Sequence, residues 1–191
     1  MNNRRSFITG IKGTKLNKKE IDFLKKYKPW GIILFSRNLD NFNQIKNLTT
    51  SIKVIFRDKN YPIIIDQEGG KVNRLNKLIS LDNLTSEFFG KIFIKDKKEF
   101  NIFYKLFIDQ ISHLLLKLGI NINTVPVLDL KYKGSSNIIG NRSFSKDPRI
   151  VSEIGDLCIK HFKNNSIGTI IKHIPGHGLA KVDSHHYTPT I

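Results

Sequence analysis

The segment Lys172-His173-Ile174-Pro175-Gly176-His177-Gly178, followed by Asp183-Ser184-His185, gathers more reactive side chains than any other stretch of the chain. His173 and His177 stand four apart, the spacing of zinc-binding histidines on a metalloprotease helix. Pro175 and Gly176 between them forbid that helix, and no glutamate follows the first histidine, so no metal site is expected. Asp183, Ser184 and His185 include the residue types of a serine-hydrolase triad. Adjacent side chains diverge, however, and no G-x-S-x-G turn exists in the chain. A dyad fits better. Asp183 and His185, two apart on a loop, can set a carboxylate against an imidazole, orienting the ring and raising its pKa toward the range where it exchanges protons. His113 and His161 fall on helical segments and read as surface or packing residues.

Other polar residues recur where apolar runs end. Arg37-Asn38 follows the run Gly31–Phe35, Asp66 follows Tyr61–Ile65, Asp129 closes Asn123–Leu128, and Lys172-His173 follows Thr169–Ile171. With Ser6–Ile11 these make five strands, several apolar on both faces. Such strands need cover on both sides, which implies parallel pairing with helical crossovers. Helical periodicity supplies the crossovers. Asn17 and Glu20 form a capping box before Ile21, Phe23, Leu24 and Tyr27. A second helix is predicted from Asn43 to about Arg57, and a third from about Lys97 to Leu118. The third has Phe100, Phe103, Tyr104, Phe107, Ile111, Leu114, Leu115 and Leu118 on one stripe and Gly119 as its cap. Asp147-Pro148 opens a fourth, running to about Phe162. No G-x-G-x-x-G follows the first strand, so an open dinucleotide-binding sheet is disfavoured. The expectation is an α/β fold of the (β/α)8 TIM-barrel type, incomplete, with about five βα units in one domain over residues 1–191. At about 38 residues per unit, eight units would need roughly 250–300.

Five motifs in order then resemble glycoside hydrolase family 3, and within it the NagZ-type β-N-acetylglucosaminidases. They are Gly31-Ile32-Ile33-Leu34-Phe35-Ser36-Arg37-Asn38; Ile65-Asp66-Gln67-Glu68-Gly69-Gly70-Lys71-Val72-Asn73-Arg74; Pro126-Val127-Leu128-Asp129; Ile139-Gly140-Asn141-Arg142-Ser143-Phe144; and the Lys172–Gly178 segment with Asp183-Ser184-His185. The resemblance runs along the whole chain but covers only the N-terminal part of that family's barrel. It implies that Asp66, Arg74, Arg142, Lys172 and His173 contact the non-reducing sugar. It also implies that His185, supported by Asp183, is the general acid/base of a retaining hydrolysis. A histidine carries no negative charge when deprotonated, which suits an anionic muropeptide-type leaving group.

The same resemblance implies a cytoplasmic role in peptidoglycan recycling, an N-acetylglucosamine-containing glycoside as substrate, and no cofactor. The family's nucleophile is an aspartate in a later Ser-Asp-Asp-Leu-like motif. No such motif occurs here, so no nucleophile is assigned and the 191-residue chain is expected to be inactive by itself. A non-catalytic sugar-binding remnant, or half of a split enzyme completed by a C-terminal segment, stays open beside the hydrolase reading. Asp129 reads as a scaffold residue and Glu68 as a pin accepting backbone N–H bonds. Arg37-Asn38 reads as a brace for the rim, and His177 and Gly178 as loop-shaping residues. Ile174, where the family usually has Phe, reads as a packing change.

Composition excludes several other classes. The chain has 39% hydrophobic residues, enough for a core, and no apolar stretch long enough to span a bilayer. The first residues lack an apolar segment of the kind a secretory signal needs. A single cysteine, Cys158, excludes an internal disulfide and a multi-cysteine metal site. The formal net charge of +16 is mostly lysine spread along the chain. With no arginine block, finger spacing or RNP-like motif, it predicts polyanion stickiness and no specific nucleic-acid partner.

Overall fold

The computed structural model describes residues 4–132, 137–183 and 186–188. Five strands form one parallel sheet in the order β1 (Arg5–Thr9), β2 (Pro29–Leu34), β3 (Ile63–Ile65), β6 (Ile122–Asn123) and β7 (Gly168–Thr169). Between them run α1 (Lys18–Tyr27), α2 (Phe42–Phe56), the pair α3 (Ser86–Lys95) and α4 (Lys97–Lys117), and α5 (Pro148–Asn164). A two-stranded antiparallel hairpin, β4 (Gln67–Gly69) with β5 (Val72–Asn73), rises from the end of β3. The architecture is a partial TIM-barrel-like α/β domain whose sheet does not close. Among the described residues no helix is long and apolar enough to cross a membrane.

Local chemistry explains the element ends. Asn17 and Glu20 make the predicted reciprocal capping box at the start of α1, an arrangement whose cap is typically worth about 1 kcal/mol. Asp147 caps α5 with Pro148 in its first turn. Gly119 follows α4 in the left-handed region at φ +78°, and a Cβ there would meet the Thr49 hydroxyl that binds the Leu118 carbonyl.

The central strands are buried on both faces. Ile32, Leu34, Ile63 and Ile65 join the inward sides of the helices in one core cluster, and Ile64 is buried on the other face of β3. On α4 the buried side is Phe100, Tyr104, Ile108, Ile111 and Leu115. Phe103 departs from the predicted stripe: it lies about 100° around the helix from Tyr104 and is 51% exposed. The strand predicted over 123–129 is also shorter than expected. Its ladder stops at Asn123, and Val127 then makes a single parallel bridge to Lys172. Pro126 lies between them without a backbone N–H to donate.

The α3–α4 hairpin turns on one residue. Asp96 ends α3 and caps α4, accepting from the Lys98 and Glu99 amides. Phe93 meets Phe100 edge-on at 5.0 Å, and Phe89 packs at 4.9 Å from both Tyr104 and Phe107. Gly90 lets α3 rest against the segment after Arg142: a Cβ on Gly90 would stand 1.8 Å from the Phe144 carbonyl oxygen.

Candidate active site

Polar residues follow the strand ends directly, so strand register decides which of them meet. Ile65 pairs with Asn123, which sets Asp66 beside Thr124 one residue further on. The Thr124 hydroxyl donates to Asp66 Oδ1 and accepts from Lys172 Nζ at 2.9 Å. Lys172 arrives through its bridge to Val127, where the Leu128 amide donates to its carbonyl at 2.7 Å. Its ammonium also lies 3.3 Å from Asp66 Oδ1 and 2.5 Å from Glu68 Oε1.

The β4–β5 hairpin delivers Arg74 to the other oxygen of Asp66, at 3.3 Å. Two buried amides hold that hairpin in place. Gln67 donates to Asn73 and accepts from the Leu75 amide, while Asn123 exchanges two bonds with the Gln67 backbone. Gly69, at φ +103°, makes the turn possible, since a Cβ there would strike the Leu84 carbonyl.

Glu68 is the hub beneath this pocket. Its side chain is only 3% exposed and takes Arg142 Nε and Nη2 at 2.8 and 2.9 Å while also holding Lys172. The Arg142 Nη1 group donates to the Ile138 carbonyl at 3.1 Å. Glu68 thus pins the site through two cationic side chains, which corrects the expectation that it accepts backbone N–H bonds. A charge buried that deeply is costly unless it is paired and hydrogen-bonded, as it is here. Burial alone would lower the Arg142 pKa, but Glu68 raises it above the usual value. Burial likewise works to raise Asp66. Lys172, the Thr124 hydroxyl and Arg74 outweigh it and hold the carboxyl below the ordinary range.

Asp129 organises the neighbouring loop. Its side chain is 0% exposed. One oxygen accepts from the His173 amide at 3.1 Å and meets His173 Nδ1 at 2.6 Å, and the other accepts from the His177 amide. Residues 173–177 therefore arch over a single carboxylate. Gly178 lies against the Leu130 backbone, where a Cβ would come within 2.3 Å of the carbonyl oxygen. His177 and Gly178 do shape the loop. Ile174, at the crest, is 73% exposed.

At the far rim, Asn38 is buried and donates to the Ile11 and Gly13 carbonyls, with Arg37 Nε on Ile11 as well. Both residues brace the rim, as their position suggested.

The structure thus brings Asp66, Arg74, Arg142 and Lys172 into one charged pocket, with His173 beside it. The carbonyl of half-buried Asp183 accepts from the His186 and Tyr187 amides at 3.1 and 2.9 Å. His185 lies outside the described residues. Glu68 and Thr124 were not singled out from the sequence as partners of these residues. Their signal was available: Glu68 is two residues beyond Asp66, and Thr124 follows a strand that ends level with β3. Among the described residues no cluster of three or more His, Cys, Asp or Glu could hold a metal ion.

Comparison with known proteins places this arrangement. A beta-hexosaminidase of Hydrogenovibrio crunogenus is 34% identical over 155 residues, 81% of this chain and 43% of its own length. NagZ of Neisseria gonorrhoeae superposes with a TM-score of 0.88 at 31% identity, over 97% of this chain and 54% of that one. The same Neisseria protein in complex with N-trifluoroacetyl-D-glucosamine superposes with a TM-score of 0.87. The chain therefore spans about half the length of the relatives it matches. The model of the glycosyl hydrolase family 3 N-terminal domain matches residues 6–191, and a match over nearly every residue, on a partial parallel barrel with its polar groups at the strand ends, makes this chain a member of glycosyl hydrolase family 3.

Proposed function

We propose that this chain forms the sugar-binding half of a β-N-acetylglucosaminidase that removes a non-reducing terminal N-acetylglucosamine from cell-wall muropeptide-type fragments in the cytoplasm. The observation that carries the reading is the pocket at the ends of β3 and β6. There Asp66 offers acceptors, while Lys172, held by buried Glu68, and Arg74, 3.3 Å from Asp66, offer donors. Alternating fixed donors and acceptors suit the hydroxyls of a neutral sugar, each of which both donates and accepts.

In the retaining reaction His185, oriented by Asp183, protonates the glycosidic oxygen as a carboxylate attacks the anomeric carbon and the bond to the leaving group breaks. His185 then takes a proton from the water that hydrolyses the glycosyl ester. In this reading Asp66 binds sugar hydroxyls with the lone pairs its neighbours leave, and Glu68 and Asp129 are committed to structural roles. Asp66 is bound by three side chains, Glu68 is ion-paired beneath the pocket, and Asp129 is filled by the loop. The nucleophile must then come from outside these residues. The same observation favours a second reading, in which the 191 residues bind sugar without turning it over.

Calorimetric titration with N-acetylglucosamine tests the pocket. Binding at millimolar sugar that disappears in Asp66→Asn is the expected result. No heat from the folded wild-type chain at that concentration would refute it. Turnover of an aryl N-acetylglucosaminide by the 191-residue chain alone would show that the nucleophile lies within it.

A further inference from the structure

We infer that Asp129 is a positioning residue that fixes the neutral His173 ring with its proton on Nδ1, so that Nε2 meets the ligand as a hydrogen-bond acceptor. The ligand's identity rests on the sugar-pocket reading above; the tautomer rests on geometry alone.

Three N–H groups converge on two oxygens. The His173 amide and His173 Nδ1 share Oδ2 at 3.1 and 2.6 Å, and the His177 amide takes Oδ1. An ionised carboxylate has only lone pairs to offer, so the imidazole nitrogen facing it must be the one that bears hydrogen. Asp129 is fully buried yet stays ionised. Burial would raise its pKa, but the His173 ring and the two amides hold it below the ordinary range. A neutral imidazole carries one proton, so placing it on Nδ1 strips Nε2.

The free histidine side chain in water favours the opposite tautomer, with its proton on Nε2, so the protein must impose this one. The His173 side chain is 39% exposed and is not sealed from a ligand. The consequence is chemical. Lys172 and Arg74 can only donate, whereas His173 Nε2 joins Asp66 as an acceptor. A ligand hydroxyl that reaches Nε2 can then send its own hydrogen to it, which an ether or carbonyl oxygen cannot do.

Two-bond 1H–15N correlation spectra of the uniformly 15N-labelled 191-residue chain test this, with His173→Gln used to assign the signals. At about pH 8, above the usual imidazole range, the expected pattern is a protonated-type Nδ1 and a bare, pyridine-type Nε2. Asp129→Leu keeps much of the volume but offers no acceptor to any of the three N–H groups. It should abolish that pattern and weaken N-acetylglucosamine binding roughly tenfold, the size of one lost hydrogen bond.

A wild-type spectrum with the proton on Nε2 overturns the inference outright, even if the variant does not fold. So does a folded Asp129→Leu chain with an unchanged pattern. The expected wild-type tautomer without any response to the sugar upholds the role of Asp129 and defeats the sugar-pocket reading instead.

Discussion

Replacing Glu68 with Gln is the most informative perturbation of the pocket, because it changes one charge and almost no volume. The wild-type carboxylate, 3% exposed, neutralises Arg142 through two bonds and Lys172 through a third. The substitution leaves two largely buried cations side by side and presents an NH2 to donors. Removing one partner of a buried ion pair typically costs about 3–5 kcal/mol. Asp66, still 3.3 Å from Lys172, shares part of that load, so the lower end, about 3 kcal/mol, is expected. With a urea m-value of about 2 kcal/mol/M the unfolding midpoint should fall by about 1.5 M.

The reasoning makes a sharper demand on the double variant Glu68→Gln/Arg142→Met. Removing the stranded guanidinium should recover about 1–2 kcal/mol, making the double variant more stable than the single one. Urea unfolding followed through Trp30 fluorescence reads both. A single-variant loss under about 0.5 kcal/mol, or a double variant no better than the sum of its parts, would refute the assignment of Glu68 as the hub.

Three further outcomes follow from the same structure. The folded pKa values of Asp66 and Asp129 lie below their unfolded value, so their stabilisation is full above about pH 4 and lost as pH falls through the folded values. Thermal melts from about pH 6 down to about 2.5 should show that acid-side loss, reduced in Asp66→Asn, and an unchanged slope in the variant would contradict it. Gly90→Ala forces a Cβ to 1.8 Å from the Phe144 carbonyl, so a loss of about 1–3 kcal/mol is expected in urea melts, and wild-type stability would show that α3 does not rest there. In a form that also supplies the nucleophile, His185→Ala should slow glycosides with poor leaving groups by about 10²–10⁴-fold and spare activated aryl glycosides; equal losses on both would remove His185 as the acid/base.

The sequence was most legible where one local rule decides the outcome. The Asn17–Glu20 box, the Asp147-Pro148 start and the glycine after α4 follow from backbone chemistry alone, and the parallel sheet follows from two-sided apolar runs. Helix α3 was missed although Thr85 caps it, because Gly90 in its interior argues against a helix until Phe144 explains the need for it. Phe103 was misplaced because an apolar residue on a helix flank looks the same in sequence as one facing the core. Within the site, strand-end position marked Asp66 and Lys172, and the family resemblance implied Arg74 and Arg142 beside them. Their mutual support did not show, since Glu68 meets Arg142 across 74 positions and Lys172 across 104. Ile174 illustrates the converse: a substitution that reads as packing lies on an exposed crest.

The balance of charge around the pocket would set the proposed sugar apart from the polyanions that the net charge attracts. Asp66, Glu68 and Asp129 offset Arg74, Arg142 and Lys172, leaving the interior of the site near neutrality while the whole chain carries +16. Polyanions should therefore gather on the lysine-covered exterior, under a field that moderate salt collapses within about 10 Å. An uncharged sugar entering the pocket displaces no counterions, so its affinity should barely respond to ionic strength. Raising the salt thus acts as a sieve, stripping nucleic acid and other adventitious polyanions from the surface while leaving occupancy of the pocket intact.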